Sequence, residues 1–123
     1  VRWHMPLGQI RRAGVTLPKG VGLGSPNVGG PITTGGGLTF VAATMDAKLR
    51  ALETTTGKEL WSADLPVPGM ALPVTYMAGG RQYVAVTTGN GGGSPRQVPG
   101  TIIPEIKPPA NGNMLYVFEL PKK

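Results

Sequence analysis

Ala51-Leu52-Glu53-Thr54-Thr55-Thr56-Gly57-Lys58-Glu59-Leu60-Trp61 decides how this chain is read. It reads as a strand, a tight turn and a second strand. Gly57 stands where the turn needs a positive φ, and Trp61 is carried into the second strand.

The surrounding composition fits short strands. The 123 residues include 20 Gly and 13 Pro, with 6% aromatics, which favours many strands joined by turns and leaves no long stretch for a helix. The fold class is all-β, with about seven to nine antiparallel strands expected. With no Cys, disulfides, thiolate metal sites and cysteine catalysis are excluded, while the compartment stays open. No apolar run approaches the roughly 20 residues that span a bilayer. The opening Val1-Arg2-Trp3-His4 has neither a signal-peptide pattern nor an initiator Met, so Val1 is not expected to be the natural start. The net charge of +6 is spread over single and paired cations without interleaved aromatics, which argues against nucleic acid as a partner.

The chain repeats itself. Pro31-Ile32-Thr33-Thr34-Gly35-Gly36-Gly37-Leu38-Thr39-Phe40-Val41-Ala42 aligns with Pro73-Val74-Thr75-Tyr76-Met77-Ala78-Gly79-Gly80-Arg81-Gln82-Tyr83-Val84-Ala85. Leu49-Arg50-Ala51-Leu52-Glu53 matches Leu115-Tyr116-Val117-Phe118-Glu119, and Trp3-His4-Met5-Pro6-Leu7 echoes Trp61-Ser62-Ala63-Asp64-Leu65. The two prolines are 42 residues apart, a spacing that suits four-stranded propeller blades. The later elements are 66 apart, so the second copy carries an insertion, a loop over residues 89–112. Three regions follow: 2–7 as the outer strand of a preceding blade, 28–64 as a complete blade, and 72–120 as a final blade lacking its outer strand. Within them, strands are expected near 28–34, 38–44, 48–53, 58–64, 72–77, 81–88 and 113–120. Such a piece leaves unpaired edges and uncovered faces, so it requires the remaining blades of its own protein or other copies of the chain.

Residues 51–61 resemble the tryptophan-docking motif of quinoprotein dehydrogenases at Ala51, Thr56, Gly57, Lys58 and Trp61, with Glu53 where Asp or Asn is usual. The resemblance implies that Trp61 is largely buried between blades with its indole N–H on a backbone carbonyl. The likeness extends through Pro26-Asn27-Val28-Gly29-Gly30-Pro31, Phe40–Asp46, Leu65-Pro66, Pro73–Tyr76 and Gln82-Tyr83-Val84. Together these segments resemble the C-terminal part of membrane-bound quinoprotein glucose and quinate dehydrogenases. The closing Phe118-Glu119-Leu120-Pro121 matches the point at which those proteins stop.

The resemblance implies the last segment of an eight-bladed propeller holding pyrroloquinoline quinone (PQQ) over a divalent cation, Ca²⁺. It implies oxidation of glucose or another sugar or polyol, electron transfer to ubiquinone, and a place on the periplasmic side of the bacterial inner membrane. No catalytic residue or metal ligand is expected within this chain, and the isolated chain is expected to be inactive. The candidate cofactor-binding segment is Val28, Gly29 and Gly30. Val28 stands where related alcohol dehydrogenases carry a Trp that reaches the cofactor, so only backbone approach is implied here. A non-enzymatic propeller scaffold that binds proteins and a self-assembling repeat module are the alternatives.

Other candidates carry less chemistry. His4 has no neighbouring carboxylate or Ser and is expected at the surface. Asp46, after a strand, is expected to close a turn on its own backbone or to present a polar group at the ring face. Gly89-Asn90-Gly91-Gly92-Gly93 lacks the Lys-Ser/Thr of a phosphate loop, and the Pro-rich 102–110 stretch lacks tandem PxxP spacing, so both read as loop.

Overall fold

The computed structural model describes residues 1–9, 22–27, 29–69, 71–89, 101, 104 and 111–121. Seven strands make two antiparallel sheets. The first runs in the order β1 (Ile32–Thr33), β2 (Leu38–Val41), β3 (Lys48–Glu53), β4 (Glu59–Asp64). The second contains β5 (Val74–Ala78), β6 (Arg81–Thr88) and β7 (Met114–Glu119).

Turn chemistry sets the registers. Ala78 pairs with Arg81 across Gly79-Gly80, whose φ angles of 56° and 72° are those of the two-residue hairpin turn that follows the right-handed twist of its strands. Gly57, at φ 74°, closes the β3–β4 turn by donating its N–H to the Glu53 carbonyl, while the Glu53 N–H donates to Lys58. Glu53, longer than the usual residue at its position, accepts from the Thr56 hydroxyl. A bulge follows in the β3–β4 ladder. Ala51 faces Trp61 and Leu52 faces Glu59, which leaves Leu60 as the extra residue.

The core lies between the sheets. Phe40, Ala42, Leu49 and Ala51 from one face of the first sheet meet Val84 and Val86 of the second, with Tyr116, Phe118 and Leu120 packed against them. Alternation along each strand therefore assigns one face of β6 and β7 to this core. The opposite face of the second sheet leaves Val74, Tyr76, Leu115 and Val117 exposed.

Several boundaries differ from expectation. Residues 2–7 form no strand, because no described strand lies beside them to complete a ladder. β1 is only two residues long, and the Gly29–Pro31 approach to it is irregular. β2 stops at Val41, where the chain turns into the Thr44–Ala47 loop closed by the Ala47 N–H on the Thr44 carbonyl. Val28 and most of the inserted loop expected at 89–112, including the 102–110 stretch except Pro104, lie outside the described residues.

Candidate functional site

One end of both sheets gathers close-packed backbone and buried polar side chains. It is formed by the loop after β2, residues 25–27, 29–30, 65–69 and 71–73, the end of β6 and the start of β7. Asn27 bridges Thr44, Gly69 bridges Thr88, and the Gly69 N–H donates to the Ala42 carbonyl at 3.1 Å. Ser25 Oγ accepts the Met45 N–H at 3.1 Å, and the Thr88 hydroxyl donates to the Gly112 carbonyl.

The candidate segment sits in this floor. Gly29 donates its N–H to Asn27 Oδ1 at 3.0 Å. A Cβ on Gly29 would stand 2.6 Å from the Ala43 Cβ and 3.3 Å from the Ala71 carbonyl oxygen, and one on Gly30 would stand 3.1 Å from Leu72. Gly29 is thus required by the protein's own packing, while Gly30 stands in tight contact with the exposed Leu72 side chain.

Beneath the floor lies an ion-pair network that sequence reasoning missed. Arg50, on β3, is buried, and its guanidinium pairs with both oxygens of Asp46. It also donates to the Thr44 hydroxyl at 2.8 Å and to Glu59 Oε2 at 3.0 Å. Thr44, itself fully buried, donates onward to Asp46 at 2.6 Å. Burial alone would raise the Asp46 pKa, but hydrogen bonds from Arg50 and Thr44 and the Arg50 charge outweigh it and hold the carboxyl below its ordinary value. Burial likewise opposes the charge on Arg50, and Asp46 and Glu59 overcome it, so its pKa is raised. Asp46 therefore does more than close a local turn: it neutralises a buried cation. The available signal was Arg50 itself, a charge inside the otherwise apolar Leu49–Leu52 run.

This end is a scaffold and offers no direct grip on a quinone carboxylate. Arg50 is fully engaged by Asp46, Thr44 and Glu59, and no group of three or more His, Cys, Asp or Glu that could hold a metal occurs among the described residues. Among the described residues this end thus offers PQQ backbone approach at Gly29 and Gly30 rather than a side-chain ligand.

The tryptophans correct the expectation for Trp61. Its side of the chain is 43% exposed, and its ring meets Phe118 edge-on at 5.4 Å between centroids. The bond expected of it is made by Trp3, whose indole N–H donates to the Thr54 carbonyl at 2.9 Å. The Trp3 ring lies so close to Gly57 that a Cβ there would be 2.5 Å from it. The docking turn of 51–61 thus receives the tryptophan of the preceding repeat, and Trp61 points toward the following one. Beside Trp61 a cleft of about 180 Å³ runs between the sheets, walled by Phe40, Leu49, Val84 and Phe118. His4 is exposed.

Docking of one repeat's tryptophan on the next repeat's turn, within paired antiparallel sheets, is the organisation of a propeller. Residues 1–84 match the family model "PQQ: Glucose/ethanol/alcohol dehydrogenase, beta-propeller domain". The chain belongs to this PQQ β-propeller family. Among curated relatives of this PQQ propeller chain, the glycerol dehydrogenase large subunit of Gluconobacter thailandicus is 49% identical over 92 residues. That alignment covers 72% of this chain and 12% of the relative. The quinate/shikimate dehydrogenase (quinone) of Acinetobacter baylyi (strain ATCC 33305 / BD413 / ADP1) is 45% identical over 100 residues, 77% of this chain and 12% of that protein. A europium-containing methanol dehydrogenase of known structure superposes with a TM-score of 0.62 at 33% identity, over 77% of this chain and 19% of that one. The PQQ propeller chain thus spans about an eighth of the length of the curated relatives it matches.

Proposed function

We propose that this chain is the closing portion of the propeller of a quinoprotein dehydrogenase that oxidises glucose or a similar polyhydroxy compound. Its membership of the PQQ propeller family carries the reading. The polyhydroxy class is supported by relatives named for glycerol and for quinate and shikimate, and the quinone in the second name supports ubiquinone as electron acceptor. PQQ, when bound, supplies a two-electron acceptor for the hydroxyl-bearing carbon, with Ca²⁺ as the proposed cation and its ligands elsewhere in the ring.

Within this scheme the chain closes and stiffens the ring. The segment Val28, Gly29 and Gly30 is its proposed point of backbone approach to the cofactor, with Gly29 held by Asn27 and packed on Ala43. The three-stranded sheet is the final, incomplete blade, and the outer strand of the blade before β1 is drawn from residues 2–7. Among the described residues no helix is long and apolar enough to cross a membrane. The proposed place is the periplasmic side of the inner membrane, as part of a longer polypeptide.

The test is to load that polypeptide with PQQ and Ca²⁺ and follow reduction of a short-chain ubiquinone analogue with glucose, glycerol and quinate. Turnover with at least one of them is expected. A complete ring that takes up no PQQ would sink the proposal.

A further inference from the structure

The β2–β3 ladder ends at the pair Val41 and Arg50, and beyond it the loop 42–47 leaves the sheet. The Arg50 side chain takes over where the ladder stops. Its guanidinium donates to the Thr44 hydroxyl at 2.8 Å and pairs with both oxygens of Asp46, while the Thr44 hydroxyl donates to Asp46 at 2.6 Å. Thr44, fully buried, is also the link to the candidate cofactor segment. Its backbone bridges Asn27, whose Oδ1 accepts the Gly29 N–H at 3.0 Å, and its neighbour Ala43 is the residue on which Gly29 packs. Gly8 stands so close that a Cβ there would meet the Thr44 Cβ at 2.6 Å, so Thr44 has little room of its own to move.

We propose that Arg50 is a positioning residue for the bound cofactor: it fixes the 43–47 loop through Thr44 and Asp46, and that loop fixes the Gly29 backbone that approaches the cofactor. The inference rests on the quinoprotein reading given above. Arg50 touches no reacting atom in this scheme and acts through Thr44 alone on the floor of the site.

The loop needs such a hold. Ala47 has φ 53°, the left-handed conformation that a Cβ disfavours, and among the described residues no other non-glycine residue has a positive φ. Backbone of this kind persists only where surrounding contacts over-determine it. The Ala47 N–H on the Thr44 carbonyl and the Leu65 N–H on the Ala47 carbonyl at 2.7 Å supply part of that constraint, and the Arg50 guanidinium supplies the rest. The geometry also requires a guanidinium. Nε reaches Glu59 on β4 at 3.0 Å while the two terminal nitrogens reach Thr44 and Asp46, so one planar group ties β4 to the loop, a span that the compact ammonium of a lysine does not match. A buried ion pair adds little stability over apolar side chains of the same volume, so what Arg50 contributes at this place is a fixed geometry.

The test uses the complete polypeptide, empty and loaded with PQQ and Ca²⁺. Thr44→Val removes the hydroxyl that links Arg50 to the loop, and Arg50→Lys keeps the charge but loses the planar fork. Each should release PQQ about tenfold faster on dilution, the scale of one lost hydrogen bond to a charged group, and in the empty protein each should speed amide exchange at Gly29. Thr44→Ser keeps the hydroxyl and should retain PQQ. Val84→Ala opens a cavity in the core between the sheets, so it should lower the melting point and still release PQQ at the unsubstituted rate. Release that follows the melting point across all four variants, or release from Thr44→Val at the unsubstituted rate, would overturn the inference and leave the quinoprotein reading standing. An unsubstituted polypeptide that takes up no PQQ would overturn that reading and the inference with it.

Discussion

The indole N–H of Trp3 donates to the carbonyl oxygen of Thr54 at 2.9 Å, across 51 residues of chain. The acceptor is held rigidly: the Thr54 N–H donates to the Gly37 carbonyl at 2.9 Å, and its hydroxyl lies 2.8 Å from that of Thr39. A side chain from one repeat is thereby read by the backbone of the next, which fixes how successive blades sit against each other.

Replacing Trp3 by Ala should therefore destabilise the fold by about 3 kcal/mol, the lower end of the range for a large aromatic because the ring is only partly buried. Trp3→Phe keeps the ring and loses the hydrogen bond, at a cost of about 1 kcal/mol. Trp61→Ala should cost only about 1 kcal/mol, the scale of its edge contact with Phe118. Denaturant melts of the three variants test this order, and a Trp61 variant weaker than the Trp3 variant would reverse the assignment.

Gly57→Ala combines two penalties. The residue would have to hold φ near 74°, and its Cβ would meet the Trp3 ring at 2.5 Å. Strain of about 1–2 kcal/mol in the backbone adds to displacement of the indole. The expected sign is a tryptophan fluorescence shift together with a lower melting point. An unshifted emission spectrum would show that the ring tolerates the methyl.

Asp46 gives the fold an acid-side signature. Its folded pKa lies below the ordinary 3.8, so between the two values the unfolded chain holds more protons and stability rises with pH. The contribution is complete above about pH 4 and is lost as pH falls through the folded value. Asp46→Asn should flatten this acid limb and cost about 2 kcal/mol at neutral pH, less than a fully isolated buried charge because Glu59 still faces Arg50. Unfolding curves from pH 2 to 7 would show it, and an unchanged acid limb would refute the assignment.

Gly29→Ala probes the floor of the candidate site. Ala43 or the Ala71 carbonyl must move to admit the methyl, or Gly29 itself must shift. In the PQQ-loaded polypeptide, faster loss of the cofactor absorbance on dialysis is expected, together with a lower melting point of the empty protein. A large drop in that melting point with unchanged retention would make Gly29 purely a packing residue.

Much of the fold was legible because its determinants are local. Gly57 and Gly79-Gly80 mark their turns by conformational necessity, and alternation in Arg81–Thr88 gives a half-buried strand without reference to anything else. The repeat of 31–42 in 73–85 showed that one supersecondary unit occurs twice. The candidate site was less legible. The Arg50–Asp46 pair joins β3 to the loop that precedes it, and four-residue spacing has no fixed meaning outside a helix.

The sequence by itself determined that this chain is antiparallel β, that it repeats, and that it carries the docking signature of the PQQ propeller family, since turns, alternation and motif spacing act through neighbouring residues. Only the tertiary structure decided which tryptophan docks on which turn. Thr54 and Gly57 receive Trp3 rather than Trp61 because the acceptor of each indole belongs to the adjacent blade, and no spacing within one repeat encodes that step. It decided as well that Gly29 and Gly30 face Ala43 and Leu72, because close approach between segments distant in sequence exists only once the sheets have packed.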